Sequence, residues 1–378
     1  MRRSLLLALA MLSPMSAAAA VLPPPGNPNA PVRLVSFAAP PADIVCATGR
    51  VRLVEGVTPT PKSWQSWIPP VGSSSAASYK PPEPPTSQAY TFSVDADGRV
   101  TDLKSAGGQT FWVAEDQAAT IVTWRFAPGA PASGCKIDLA PTHVPLAQAA
   151  PSQLFALLAV EGRNTPLPVR KALTAEGGCG PGSGRRPQTV VYPDLWAFDD
   201  KSIDPAWAGV RYDITANGDV RNVRIAAQHG EAAFADAAAS AVAEARFFPG
   251  PARTGCFAAF RATPKATEAP ARPKGETFER PQDSCKVTRE QLNIPENKFY
   301  PPAYSKRRVS GWAIVRFDVA PWGQVGAVEV LAAQPSAAFG DAARGLVQSA
   351  RPSPPASGYR GCIVPLVYAI PPVADEDY

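Results

Sequence analysis

Histidine is scarce in this chain, with two residues among 378. His143 and His229 are predicted to be solvated loop residues. The chain also has no Cys-x-x-Cys pair, no Gly-x-Ser-x-Gly elbow, no His-Glu-x-x-His pair and no Walker-type loop. The glycine-rich stretch 177–184 lacks the preceding strand and the following lysine of a phosphate cradle, so we predict a loop there. We therefore expect no catalytic residue, no cofactor and no metal site.

A large excess of basic charge is also missing. The formal net charge is +5, and without Arg2 and Arg3 near the N-terminus 35 basic residues face 32 acidic ones. No basic stripe interleaved with aromatic residues occurs. Nucleic-acid binding therefore has no electrostatic basis. No motif for a small-molecule substrate is present either.

Long apolar runs are missing after the first twenty residues. Residues 1–20 combine Arg2-Arg3, the apolar segment Leu5–Leu12 and the small residues Ala18–Ala20. This is the pattern of a secretory signal peptide. The apolar segment would span about 12 Å as a helix, against about 30 Å of membrane hydrocarbon. We expect export and cleavage, and the alternative is an uncleaved N-terminus that anchors the chain in the inner membrane.

Proline, by contrast, is abundant, at 44 of 378 residues. The prolines gather in loops and linkers between segments that repeat. Residues 21–41 are predicted to be an extended arm, 147–170 a connector and 261–283 a linker. The composition therefore favours several small units along the chain.

One pattern of strand, turn, strand, helix and strand occurs three times. In its last copy Val315, Phe317 and Val319 alternate with polar residues, which is typical of a half-buried strand, and Ile363–Ile370 forms the final strand. The interval from the turn glycine to the arginine after the helix is 27, 28 and 28 residues. The arginines are expected at helix C-termini, where the helix dipole favours a cation. The turn glycines are Gly98, Gly218 and Gly323, and the arginines are Arg125, Arg246 and Arg351.

The six cysteines follow the same register, with one leading and one trailing residue in each copy. The two later pairs span 77 positions and the first spans 89. Pairing within a copy is the simplest of 15 connectivities. Each bond would be worth up to about 4–5 kcal/mol in the chain-entropy model. The predicted disulfides are Cys46–Cys135, Cys179–Cys256 and Cys285–Cys362.

The second strand of each copy carries an irregular interval. A valine stands two positions after the turn glycine, and the next apolar residue stands at five. An interval of three moves the side chain to the other face of a regular strand. We therefore predict a β-bulge or sharp twist at this place in every copy. The pairs are Val100 and Leu103, Val220 and Val223, and Val325 and Val328.

The third copy resembles the C-terminal domain of TonB-family proteins. The resemblance rests on Tyr300-Pro301, the strand 314–319, the turn 323–325 and the helix start 339–343. The second copy carries related residues, and the first is degenerate. This resemblance implies an α+β fold, with three ββαβ modules that each pack a helix on a small antiparallel sheet and are joined by proline-rich linkers. The modules are expected at 44–146, 171–264 and 281–372.

The resemblance also implies a function. TonB-family domains are periplasmic and serve TonB-dependent transmembrane transport, and an extended segment of an outer-membrane transporter adds to their sheet as a strand. Here such a segment, or one from another envelope protein, would bind at the last strand, where Pro365 indicates an edge. The alternative is a structural envelope scaffold or cell-wall-binding repeat protein without a role in transport. The expected edge residues are Ile363, Val364, Leu366, Val367 and Tyr368.

The leading cysteine of the third copy bears on this edge. A bond from Cys285 to Cys362 would hold the leading arm beside the border of the sheet. An arm that covers the edge would block strand addition, and an arm that crosses its end would leave the edge open. The sequence leaves both arrangements open.

Overall fold

The computed structural model of the protein describes residues 32–65, 87–106, 112–174, 178–179, 185–285, 291, 293, 300–353 and 357–370. The predicted signal peptide 1–20, the proline run 80–85 and the acidic tail 375–378 lie outside the described residues. No helix in the described ranges is long and apolar enough to cross a membrane.

The described elements are short strands and short helices. In chain order the strands are β1 Val32–Phe37, β2 Asp43–Cys46, β3 Gly49–Glu55, β4 Lys62–Gln65, β5 Gln88–Val94, β6 Val100–Ala106, β7 Arg125–Phe126, β8 Ala132–Leu139, β9 Pro141–Pro145, β10 Pro187–Thr189, β11 Trp207–Ile214, β12 Val220–His229, β13 Arg246–Phe247, β14 Arg253–Arg261, β15 Gly311–Val319, β16 Val325–Gln334 and β17 Tyr359–Tyr368. The helices are α1 Trp112–Thr123, α2 Pro151–Glu161, α3 Leu167–Thr174, α4 Ala232–Glu244, α5 Pro302–Lys306 and α6 Ala337–Ser349.

Each copy of the repeat folds as strand, strand, helix and strand. The sheets have the orders β6-β5-β8, β12-β11-β14 and β16-β15-β17, and all their pairs are antiparallel. The first strand of each copy is therefore central, and the helix packs against the sheet. The predicted α+β fold is confirmed. The module bounds 44–146, 171–264 and 281–372 stay a prediction.

The arginine after each helix binds the helix C-terminus, as its position predicts. Arg125 Nη1 donates to the Trp124 carbonyl at 2.9 Å, and Arg351 Nη1 donates to the Ala350 carbonyl at 2.8 Å. Arg246 Nη1 reaches the preceding carbonyl at 3.0 Å. Because the last carbonyls of a helix lack partners within it, a guanidinium placed there satisfies them and complements the dipole.

The second strand bulges where its apolar interval predicts. In the third copy Arg316 pairs with Glu329 and Asp318 pairs with Gly326, so one residue of β15 faces two of β16. The bulge contains Ala327, whose φ is 49°. The equivalent residues Asp102 and Asn222 have φ values of 52° and 53°. The same left-handed residue therefore recurs in all three copies, and the predicted bulge is confirmed.

Ala327 is the residue type least suited to this conformation among the three copies. Asn and Asp tolerate the left-handed region, whereas the Cβ of alanine costs roughly 1 kcal/mol there. We expect Ala327→Asn to raise the free energy of unfolding by about 0.5–1 kcal/mol in urea denaturation. Ala332→Asn on the same strand, where φ is ordinary, is the control and should be destabilising. A lower free energy of unfolding in Ala327→Asn would contradict this prediction.

The central strand β15 is buried on both faces, so the half-buried prediction was wrong. Helix α6 covers one face, on which Phe317 lies. On the other face Trp312 donates its indole N–H to the Pro270 carbonyl at 2.8 Å. Arg316 Nη1 donates to both Asp283 carboxylate oxygens, at 2.6 and 2.7 Å. Much of the predicted linker 261–283 is therefore an ordered cover of this sheet.

A second cover lies on the middle module. The predicted connector 147–170 contains α2 and the start of α3, and α2 packs on β11, β12 and β14. Phe155 is fully buried against Gly209, where an added Cβ would stand 2.8 Å from the Phe155 Cβ.

The prediction of an extended arm at 21–41 is wrong for residues 32–37, which form β1 between β4 and β9. Leu34 of β1 is fully buried in the same apolar cluster as Phe155, which explains its order.

The first and third modules share one apolar core. Tyr90 of the first module and Phe339 of the third belong to the same buried cluster, whereas the sheet and helix of the second module enclose their own. The Leu103 N–H donates to the Pro335 carbonyl at 2.9 Å and links the edges of the two sheets. These modules therefore pack as one body.

Candidate functional site: the outer edge of β17

The last strand of the third module is an edge strand. β17 pairs with β15 on one side, and Pro365 stands opposite Ile314. On its other side no strand pairs with it among the residues that the structure describes. The strand runs from Tyr359 to Tyr368, so it begins earlier and ends sooner than the predicted 363–370. Its position as an edge strand agrees with the presence of Pro365.

The direction of the backbone groups follows from the turn between β15 and β16. The Ala320 N–H donates to the Gln324 carbonyl at 2.8 Å, so the even-numbered residues of β15 direct their backbone groups toward β16. The odd-numbered residues direct theirs toward β17. The ladder partners of Val315 and Ala313 are Val364 and Leu366, whose backbone groups therefore point inward.

The outward backbone groups of β17 consequently belong to the alternate residues. Ile363 and Val367 each present an N–H and a carbonyl, and Pro365 presents a carbonyl alone. Proline at this place costs the β15–β17 ladder nothing because its nitrogen faces away from β15. The outer row therefore offers two donors and three acceptors to an incoming strand.

The side chains of the predicted edge divide between core and surface. Val364, Leu366 and Tyr368 are buried in the shared core, Ile363 is half-buried beside Gly275, and Val367 is 52% exposed. The backbone row and the Val367 side chain are thus the accessible parts of this edge. The buried side chains hold the strand in place.

The Tyr300-Pro301 motif anchors the end of this edge. The Tyr300 ring packs edge-on against Tyr368 at 5.5 Å, and Phe339 stands 5.4 Å from Tyr368. The Tyr300 hydroxyl donates to the Val309 carbonyl at 2.6 Å, and burial raises its pKa above the ordinary value. The motif therefore fixes the C-terminal end of β17 against helix α6.

The disulfide arm crosses the beginning of the edge. The Ser284 N–H donates to the Arg360 carbonyl at 3.0 Å, and Cys285 is bonded to Cys362. The predicted pairs Cys46–Cys135 and Cys179–Cys256 are also bonded, so all three predicted disulfides are confirmed. None of the described residues of the arm pairs with the row 363–367 as a strand.

The close approach of the arm to β17 requires a glycine at position 361, before the trailing cysteine. Gly361 has a φ of 65°, and an added Cβ would stand 3.0 Å from the Asp283 Cβ. The Gly361 N–H donates to Asp318 Oδ1 at 2.8 Å. Asp283 lies in the arm itself, and the Arg280 amide and the Arg316 guanidinium of β15 lower the pKa of its carboxyl group. The arm is therefore held by charge as well as by the disulfide.

The two histidines lie in strands, so the loop prediction was wrong for both. His143 belongs to β9 opposite Val35. His229 ends β12, and its Nε2 lies 2.9 Å from Asp204 Oδ2. Asp204 raises the pKa of His229. Among the described residues no three potential metal ligands cluster together.

Comparison with known families adds one finding. Residues 208–257 and 296–369 match the family described as Gram-negative bacterial TonB protein C-terminal. The match covers the sheet and helix of the third module and much of the second. The first copy lies outside the match, so the resemblance of that copy stays a prediction. No curated protein matches the chain.

Proposed function

The chain is TonB C-terminal-like at residues 208–257 and 296–369, and from this premise we propose that it is a periplasmic, non-catalytic binding protein of TonB-dependent transmembrane transport. Its third module takes up an extended segment of an outer-membrane transporter as a fourth strand. Residues 1–20 act as the signal peptide for export. Each of these statements goes beyond the family match and is testable.

The observation that carries the proposal is the outer row of β17. Strand addition needs a sheet edge whose N–H and carbonyl groups are free for an extended peptide. The row 363–367 meets this condition among the described residues, because the bonds of the arm to β17, at Arg360 and Cys362, lie before it. The exposed Val367 side chain adds an apolar contact for the incoming strand.

The row also sets the strength of binding. Each backbone hydrogen bond contributes about 1 kcal/mol net, and ordering the peptide opposes this gain. Pro365 removes one donor from the middle of the row. We therefore expect transient binding with a Kd of roughly 0.1–1 mM.

The test is a reciprocal pair of substitutions in the full chain. Pro365→Val restores a central donor and should tighten binding about five-fold, the effect of about 1 kcal/mol. Val367→Pro removes an outward donor but no bond to β15, and should weaken binding by a similar factor. Fluorescence anisotropy with labelled N-terminal peptides of outer-membrane transporters measures both.

Two outcomes would contradict the proposal. Equal affinities of both variants and the parent would place the peptide elsewhere on the chain. No binding at millimolar peptide would favour the structural scaffold without a role in transport. Circular dichroism of each variant controls for loss of the fold.

A further inference from the structure

A cavity of about 230 Å³ lies where segments of all three modules meet. No residue of β17 lines it, so it is separate from the proposed peptide edge. Its lining combines apolar groups with hydroxyl and charged groups. The apolar groups include Phe37, Val57, Val160 and Trp207, and the polar groups include Thr58, Thr60, Asp204, His229, Arg261 and Arg307.

The sheet of the second module places three of these side chains in one row. Trp207 of β11 pairs with His229 on β12 and with Arg261 on β14. Directly opposite residues of an antiparallel sheet share a face, so all three side chains lie on the side that α2 covers. The His229 ring stacks on the Trp207 ring at a centroid distance of 6.3 Å.

The acidic groups near the cavity are already paired. Asp204 bonds His229, as described above. Arg307 Nη2 donates to Asp116 Oδ2 at 3.3 Å and to Thr60 Oγ1 at 3.1 Å. The buried Arg307 Nε has no hydrogen-bond partner. That nitrogen is closed off from the cavity, so Arg307 contributes its positive charge there rather than this donor.

Arg261 is the arginine of this cavity that has no direct partner among the described residues. Its guanidinium makes no hydrogen bond or ion pair with any residue that the structure describes. Burial, and then the neighbouring charge of Arg307, lower the pKa of Arg261 to about 10, while the carboxylates of Asp204 and Asp116 act in the opposite direction. A half-buried guanidinium that faces a cavity without a direct partner can donate hydrogen bonds to the carboxylate of a ligand.

We infer that this cavity binds the carboxylate of a small, partly apolar acid, either free or as the C-terminal residue of a peptide. Arg261 donates to the carboxylate, because a guanidinium suits carboxylate geometry, and Arg307 adds positive charge beside it. Trp207 and Val57 contact the apolar group. The volume lies below the roughly 300–1,000 Å³ of ordinary ligand pockets, which limits the occupant to about one residue.

The test uses the full chain and two matched probes. N-acetyl-leucine carries the carboxylate and N-acetyl-leucinamide replaces it with a neutral amide. We expect the acid to bind in about the millimolar range by calorimetry and to raise Tm, and the amide to do neither. A short peptide with a free C-terminal leucine distinguishes the two sources, since it binds only if the cavity admits a peptide end.

Arg261→Met separates a ligand site from a structural one. We expect this variant to bind the acid at least about ten-fold more weakly and to keep the Tm of the parent without ligand, because Arg261 makes no direct contact with a carboxylate of any described residue. Arg261→Lys keeps the charge and should retain part of the binding. Arg224→Met, at an exposed arginine of β12, is the control and should change neither quantity.

The opposite results would overturn the inference. Equal binding of the acid and the amide would show that no carboxylate is recognised. Unchanged affinity in Arg261→Met, or a lower Tm without ligand, would make Arg261 a structural residue. Neither result affects peptide binding at β17, so the two proposals stand or fall separately.

Discussion

Asp116→Asn is expected to lower the free energy of unfolding by about 3–5 kcal/mol, because it removes the anion of a buried ion pair. Asp116 lies on α1 of the first module, and its Oδ2 stands 3.3 Å from Arg307 Nη2 of the third. Both side chains are largely buried. An amide in place of the carboxylate leaves Arg307 without a counter-charge between two modules that share a core.

The same ion pair makes the free energy of unfolding depend on pH. Burial by itself would raise the pKa of Asp116, but the charges of Arg307 and Lys62 outweigh it and the pKa is lowered. The stabilisation from this ion pair is therefore complete above the ordinary aspartate pKa of about 4. It is lost as the pH falls through the lower pKa of Asp116 in the folded protein. Asp116→Asn should lose this part of the acid dependence.

Urea denaturation at neutral and acidic pH measures both effects. The matched control is Asp341→Asn, which breaks the exposed pair of Asp341 with Arg344 at 2.9 Å. An exposed pair contributes less than about 1 kcal/mol, so the control should remain close to the parent. Equal losses in both variants would show that the interface between modules does not depend on the buried pair.

Phe155→Ala is expected to cost about 3–5 kcal/mol, because it empties a fully buried position between α2 and the second sheet. Phe155 packs edge-on against Phe257 at 6.4 Å and lies directly over Gly209. Gly209→Ala alone should cost about 1–3 kcal/mol, since its methyl group would collide with the Phe155 ring.

The double variant gives the sharper result. With Phe155 removed, the methyl group of Gly209→Ala has space and fills part of the cavity, so the two losses should not add. Gly326→Ala, on the second strand of the third sheet, is the control because no atom lies within 4 Å of its added Cβ. Additive losses in the double variant would mean that α2 does not pack as described.

Strand addition and carboxylate binding would use different surfaces of one chain. The outer row of β17 is backbone and recognises an extended segment with little regard to side chains. The cavity is formed by side chains from segments far apart in the sequence, including Val57, Trp207 and Arg307. Cavity variants that no longer bind the carboxylic acid should therefore still bind the peptide at β17.

What the sequence determined by itself depends on intervals along the chain. The register of turn glycines, helix-ending arginines and cysteines predicted the repeat and the three disulfides. The interval of three between Val325 and Val328 predicted the bulge, because strand periodicity is a local property. Pro365 predicted an edge strand for the same reason, since a missing donor is tolerated only where no ladder needs it.

Only the tertiary structure decided what lies on the second face of the second and third sheets. The alternation in β15 predicted one buried face, yet the proline-rich segment before it covers the other through Pro270 and Asp283. The ion pair of Asp116 and Arg307 joins residues 191 positions apart. Periodicity within a strand contains no information about which distant segment will pack on it. The cavity forms where segments of all three modules pack together, so no local sequence pattern could have predicted it.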